Sequence, residues 1–576
     1  RGSSSIVAQA CLDLPPQADT SALFPSASMR ALIFLALAAA SAAGAAQPPV
    51  LWPSPAQLSS GQGDVGVAPA SGFFALAAGS SALLEAAFVR YEPLVFPHAP
   101  SQGSGSVAGS GSNAVIQGLH FDVEDLSEDF PQLGTDESYS LTVPSAGGLA
   151  KATAKTVYGA LRALETFSQL VAFDFDANQY IISGAPLQID DKPRFPHRGL
   201  MIDTARHYQP LASIRAIIDS LQYSKFNVLH WHMVDMQSFP FESKTRPKLW
   251  QGAYSPMERY TQRDVASIVE YARLRGVRVM VEFDMPGHAQ SWCKGYPEIC
   301  PSPTCLTPLN VASNATFDLI EDLVDEITGG HSSAPGAPTG LFPDNFVHLG
   351  GDEVNTDCWS STESVSAWLK AQGMTPDQGY AYFVKRAAGM VIKTGHRPVQ
   401  WSEVFDHFKS QLPKETIVHV WKDVTNVTEV VALGYNVLRN VGYDNISWYL
   451  DNLKVRWDAV YQNDPCKGIP TQELCSRVLG GHGEMWGETV DGSDVQQTIW
   501  PRLAAIGEKL WSPREQTEDV AAALPRIRAF RCLLLERGVA AAPVDNAAAR
   551  SAPAGPDSCY RQHTRVAEQS GFTVVV

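Results

Sequence analysis

Residues 277–284 read Val277-Arg278-Val279-Met280-Val281-Glu282-Phe283-Asp284, a short β-branched run that turns acidic where it ends. A strand covered on both faces needs such a run, and buried parallel sheets are built from them. Working outward, runs of the same kind recur at Arg198–Asp203, Val228–Asp235, Phe346–Gly350, Pro398–Ser402, Ile417–Trp421, Val437–Val441 and Val478–Gly481. Helical periods fill the gaps, for example around Ser213–Ser224 and Asp264–Leu274. Thr261 stands three residues before Asp264, as in a capping box with Asp in place of Glu. Eight consecutive βα units predict an α/β fold closed as a (β/α)8 TIM barrel, with its functional groups at the C-terminal ends of the strands.

Residues 49–192 predict a small α+β domain in front of the barrel, which takes 193–576 with a C-terminal extension. Strand-like runs at Gly72–Leu76, Ala87–Tyr91 and Gln179–Ile182 flank a helical stretch near Ala150–Val171. The Gly/Ser tract Ser101–Ser112 and the segment His331–Gly340 read as loops. No site chemistry is evident in this domain, which reads as a packing module. At the start, Met29-Arg30, the apolar run Ala31–Ala40 and the small-residue site Ala43-Gly44-Ala45 form a signal-peptide pattern over 29–46. Residues 1–28 then lie upstream of the true start, and the mature chain begins near Ala46 or Gln47. The apolar run is too short to span a bilayer.

Of 576 residues, 45% are apolar and 18% charged, enough for a large core; 44 basic against 60 acidic residues give −16. That balance excludes a typical nucleic-acid binder and disfavours anionic membrane surfaces. Eight cysteines follow Met29: Cys293, Cys300, Cys305, Cys358, Cys466, Cys475, Cys532 and Cys559. Their spacing is not that of a metal site, and an even count in a secreted chain favours disulfides. Nearness suggests Cys293–Cys300 and Cys466–Cys475. Acceptor sequons at Asn314, Asn426 and Asn445 agree with passage through the secretory pathway.

The strand ends collect acids and tryptophans, with one tyrosine: Asp203, Asp235, Glu282, Asp284, Asp352, Glu353, Trp401, Trp421, Trp448, Tyr449, Asp451, Glu484, Trp486 and Glu488. Glycosidic cleavage needs an acid for the leaving oxygen and stabilisation of positive charge at the sugar carbon. Indole faces stack on the apolar side of a pyranose.

The motifs F-P-H-R-G-L (195–200), H-W-H-M-V-D (230–235), E-F-D-M-P-G-H (282–288), H-L-G-G-D-E-V (348–354), W-Y-L-D (448–451) and M-W-G-E (485–488) resemble the family-20 glycoside hydrolases. The likeness is to the eukaryotic β-N-acetylhexosaminidases of lysosomes, vacuoles and secretions, and extends from about Pro49 to the last cysteine. The resemblance implies an exo-acting, retaining enzyme that releases terminal N-acetylglucosamine or N-acetylgalactosamine through an oxazolinium intermediate. It implies Glu353 as general acid/base, Asp352 as acceptor of the acetamido N–H and Tyr449 as donor to the acetamido oxygen. His288 and Asp235 form a relay behind Glu353, and Trp401, Trp421 and Trp486 wall the pocket. Arg198, Glu488 and Asp451 bind sugar hydroxyls. It also implies Cys305–Cys358 and Cys532–Cys559, no cofactor or metal, a glycan substrate and, since relatives commonly dimerise, a homodimer. The implied compartment is a lysosome, a vacuole or the exterior.

Adjacent carboxylates at Asp352 and Glu353 repel, which is expected to raise one pKa. Glu242, Asp203, His207 and His482 read as structural. Met236 departs from the family, where an acid usually follows Asp235, and so does Gly480-Gly481-His482-Gly483-Glu484, where G-G-E-x-C is usual. A metal-dependent amidohydrolase could use His230-x-His232, whose side chains share a strand face. That chemistry wants the pair on the first strand and histidines ending the fifth and sixth, which here end in Trp401 and Trp421. A glycan-binding protein on an inactive barrel would have lost the acid, yet Glu353, Asp352 and Tyr449 are all present.

Overall fold

The computed structural model describes residues 49–98, 114–330, 340–440, 448–544 and 559. The expectations for 1–28, the signal peptide, Ser101–Ser112, most of His331–Gly340 and Asn445 lie outside these residues. The N-terminal region is a mixed sheet of β1 (Gln57–Val67), β2 (Phe74–Leu76), β3 (Val115–Asp125), β4 (Tyr139–Val143), β5 (Gly148–Thr156), β6 (Ala172–Asp174) and β7 (Gln179–Asp191). Its order is β1-β3-β5-β4-β7-β6, with β2 on β3 and a further β1–β7 pairing. Helices Ala82–Val95 and Val157–Leu170 pack on it.

Two local readings change. Ala87–Tyr91 is helix, not strand: Ser81 caps the helix by accepting from the Leu84 N–H, and Leu84, Ala87, Tyr91 and Val95 recur at helical spacing on its buried side. The stretch from Ala150 begins as strand β5, and the helix starts only at Val157, capped by Thr156.

The barrel is closed by β8 (His197–Asp203), β9 (Val228–Val234), β10 (Arg278–Phe283), β11 (Phe346–His348), β12 (Arg397–Trp401), β13 (Ile417–Val420), β14 (Asn436–Arg439) and β15 (Val478–Met485), each parallel to its neighbours. Helix Gln262–Arg273 carries the expected Thr261–Asp264 capping box. The bore is layered. Val228, Met280, Phe346, Val399, Ile417, Leu438 and Leu479 form an apolar plug near the strand starts. Two residues further along the same strands, and hence on the same face, come His230, Glu282, His348, Trp401 and His419, joined by Asn440 just past the end of β14, all buried. A polar layer therefore lies between the plug and the mouth.

The two regions are held together by buried charge. Arg162 of helix Val157–Leu170 donates to Glu137 Oε1 at 2.9 Å and to the Phe226 and Gly276 carbonyls at 3.1 and 2.8 Å. Lys225 Nζ lies 2.7 Å from Asp191 Oδ2, which also accepts from the Trp511 indole at 3.0 Å. All four expected disulfides form: Cys293–Cys300, Cys305–Cys358, Cys466–Cys475 and Cys532–Cys559. Among the described residues, no helix is long and apolar enough to cross a membrane.

Candidate active site

At the end of β11 the chain must turn sharply to bring two consecutive acids to the barrel mouth. Gly350 and Gly351 make that turn with φ of 64° and 95°. A Cβ at Gly350 would lie 1.8 Å from Asp284 Oδ1, so the backbone approaches β10 only because the residue is glycine. Gly351 N–H donates to Asp284 Oδ1 at 3.0 Å, and the Tyr380 hydroxyl donates to the Gly351 carbonyl. Glu353 itself has φ of 50°, a strained setting for a non-glycine residue. The turn sends Asp352 inward and Glu353 toward solvent, its side chain 58% exposed.

Behind Glu353 stands His288, also at positive φ, with Nε2 3.5 Å from Glu353 Oε2 and 3.8 Å from Asp352 Oδ2. Its Nδ1 lies 3.1 Å from Asp235 Oδ1. Asp235 Oδ2 meets His232 Nε2 at 2.9 Å and Arg206 Nη2 at 2.8 Å, and His232 Nδ1 meets Glu282 Oε2 at 2.7 Å. Burial opposes charge on both histidines, but the carboxylates around them prevail: His232 is raised well above its ordinary value and His288 is pushed up to about 12. The imidazolium of His288, hydrogen-bonded to Glu353, holds that carboxyl below its usual range. The expected mutual repulsion of Asp352 and Glu353 is therefore not what sets their ionisation. Asp352 is raised by burial, and Asp284 is raised further by burial and by the Asp352 charge beside it. Asp284 accordingly holds the proton of that pair, and Asp352 Oδ1 has no hydrogen-bond partner among the described residues.

The Tyr449 phenol stays protonated, raised by burial and by the carboxylates of Glu484 and Asp352. Trp421 lies 6.1 Å from it, ring centre to ring centre, and donates to Glu403 Oε2 at 2.8 Å. Lys422 bonds the other Glu403 oxygen at 2.6 Å. Trp486 is half-buried under the Arg206 guanidinium, 4.9 Å away. Trp401 is only 1% exposed, stacked 4.3 Å above His419 with its indole N–H on Glu282 Oε1, so it forms a floor and not a wall.

Arg198 is not at this site. It stands at the start of β8, fully buried, donating to both Glu137 oxygens at 2.7 Å and to the Lys225 and Phe195 carbonyls, with Trp511 under its guanidinium at 4.9 Å. Five residues along a strand put roughly 17 Å between it and the mouth. The arginine that reaches the mouth is Arg206, in the loop after β8. It pairs with Asp203 at 3.0 Å, Asp235 at 2.8 Å and Glu488 at 3.6 Å. The rule that function collects after strand ends would have found it, since Arg206 follows Asp203 by three residues. Asp451 is half-buried nearby, and burial raises it to about 6. Asp203 anchors the Arg206 loop and the Gly487 N–H, Glu242 caps the helix at Gln262, and His207 meets the Gly487 carbonyl.

The arrangement offers a proton donor/acceptor at the rim, a buried free carboxylate oxygen beside it, a phenol donor and an arginine–carboxylate edge. The comparisons agree with that chemistry. The glycosyl hydrolase family 20 catalytic domain matches residues 195–514, and a beta-acetyl hexosaminidase like domain matches 51–170. Beta-hexosaminidase 1 of Arabidopsis thaliana is 46% identical, covering 89% of this chain and 95% of that protein. The beta-hexosaminidase subunit beta of Felis catus is 36% identical over 90% and 97%. The chitobiase structure from Flavobacterium johnsoniae superposes with a TM-score of 0.72 at 29% identity, covering 85% of this chain and 73% of that one. Glycosidase-type geometry, an eight-stranded barrel and relatives aligned along nearly their whole length give one conclusion: the chain belongs to glycosyl hydrolase family 20.

Proposed function

We propose that the site removes terminal, non-reducing, β-linked N-acetylglucosamine or N-acetylgalactosamine from glycans, with retention of configuration. The chain is a β-N-acetylhexosaminidase, and the observation that carries the residue assignment is the unpartnered Oδ1 of buried Asp352 beside a Glu353 backed by His288 and Asp235. Asp352 accepts the acetamido N–H, which turns the acetamido oxygen toward C1, and Tyr449 donates to that oxygen. The oxygen attacks C1 as the glycosidic C1–O bond breaks, and the leaving oxygen takes the proton from Glu353. Water then attacks C1, its proton passing to Glu353 as the oxazolinium C1–O bond opens. Two inversions at one carbon give net retention.

His288 and Asp235 are positioning residues that share a proton with Glu353. In the ligand-free site that proton rests on His288. A bound sugar strips water from Glu353 and favours its neutral form, the acid the first step needs. Arg206, Glu488 and Asp451 take the hydroxyls at the non-reducing end, which makes cleavage exo. Trp486 and Trp421 flank the ring, with Trp401 beneath. Four disulfides and exposed acceptors at Asn314 and Asn426 support maturation in the secretory pathway, with a lysosome, a vacuole or the exterior as destination.

The test is hydrolysis of 4-nitrophenyl β-N-acetylglucosaminide followed by NMR of the nascent anomer, alongside the matching β-glucoside. The expected result is initial release of the β anomer and negligible turnover of the glucoside, which lacks the internal nucleophile. Comparable rates on both sugars would overturn the acetamido-assisted mechanism.

A further inference from the structure

Beneath the sugar site the polar layer of the bore contains a cluster that the hydrolytic chemistry does not use. One donor atom from each of His230 on β9, His419 on β13, and His482 and Glu484 on β15 lies within 4.8 Å of the others, and all four residues are buried. His482 and Glu484 alternate on one strand and so face the same way. His230 Nδ1, His482 Nδ1 and Glu484 Oε2 have no hydrogen-bond partner among the described residues. Unsatisfied polar atoms at this depth are costly unless something fills the space between them.

We propose that His230, His419, His482 and Glu484 form a structural divalent-cation site, best suited to zinc. Three imidazoles and one carboxylate are a tetrahedral zinc donor set, with bonds of about 2.0–2.1 Å. The surroundings match what orients such ligands. His230 Nε2 lies 2.8 Å from Glu282 Oε2, which leaves Nδ1 as its donor. Glu484 Oε1 accepts from the Asn440 amide, which leaves Oε2 free. Asn440 also lies 2.7 Å from His419 Nε2 and accepts the His482 N–H at 3.0 Å. On metal binding its amide keeps the Glu484 bond and releases His419. The ion would link β9, β13 and β15 close to Trp401, which stacks on His419, and to Tyr449, whose backbone pairs with that of Glu484 in an isolated bridge. The carboxylate–histidine pair needed here comes from the stretch 480–484, where the sequence leaves the family pattern. His482 then has a ligating role, and the His230-x-His232 pair does not bind one ion, because His232 turns to Glu282 and Asp235.

The test uses the whole chain, purified without chelators or a metal-binding tag. Elemental analysis after equilibration with zinc and gel filtration is expected to give a single zinc ion per chain. Cobalt exchange should give the intense visible bands of a tetrahedral site, and chelation should lower the melting temperature. Glu353→Gln should keep the zinc, whereas His419→Gln and Glu484→Gln should lose it. Zinc at background in the folded wild-type enzyme, with no cobalt spectrum, overturns the proposal whether or not the variants fold. Zinc retained by both ligand variants overturns it equally.

Discussion

The two ends of the barrel use the same ingredients to opposite ends. At the bottom, Arg198 and Arg162 converge on Glu137, and their donors are taken up by that carboxylate and by backbone carbonyls. At the mouth, Arg206 meets Asp203, Asp235 and Glu488, yet Asp352 Oδ1 and Asp451 Oδ1 have no hydrogen-bond partner among the described residues and Glu353 faces water. Saturation makes a joint; deliberate deficit makes a binding site. A buried charge with every partner in place has nothing to offer a ligand, whereas one with a lone pair to spare does.

That contrast can be broken first at Glu353. Glu353→Gln should lower kcat/KM on an aryl β-N-acetylglucosaminide by about 10²–10⁴-fold, the scale of general acid–base catalysis, with an unchanged melting temperature. An equal rate would remove Glu353 from the mechanism. Arg198→Met should do the reverse. Breaking a buried pair costs about 3 kcal/mol or more, visible as a lower denaturant midpoint, while KM stays at the wild-type value. A raised KM with intact stability would put Arg198 back at the sugar. Arg206→Lys keeps the charge but loses the fork, so KM should rise by about 10-fold, in line with one or two lost charged hydrogen bonds of about 1.5 kcal/mol or more. The smallest effect concerns Asp451, raised to about 6 by burial. The folded state binds this proton more tightly than the unfolded chain, near 3.9, so the group's stabilising contribution is full at low pH and is lost as pH rises through 6. Between pH 5 and 7 the wild type should lose about 1 kcal/mol of unfolding free energy relative to Asp451→Asn. Parallel profiles for the two proteins would show that Asp451 is not buried in this way.

How much of this was legible follows the same division. The eight strands were readable because each is a short β-branched run between helical periods, and the mouth acids were readable because they close those runs. Arg198 and Arg206 are chemically alike and eight residues apart, so only their position on the strand, start against end, separates them. Ala87–Tyr91 read as a strand because five residues are too short a window to show the helical period, which emerges only over the whole of Ala82–Val95. Asp284 stood among the strand-end acids without a role, because the contact that raises it crosses from β10 to the Gly350 turn and has no trace in local spacing. The polar layer escaped notice for a related reason: apart from the His482–Glu484 pair on β15, its members come from different strands, and only closure of the barrel brings them together.

The buried joint between the two regions also limits which sequences can be combined. A chimera that seats this barrel under the N-terminal sheet of a relative must carry Glu137 along with Arg198 and Arg162, and Asp191 along with Lys225 and Trp511. A donor sheet lacking Glu137 would leave Arg198, and one lacking Asp191 would leave Lys225, sealed in the seam without its anion. For this molecule the natural cut point for recombination is therefore not the linker near residue 193 but the outer surface of the pair.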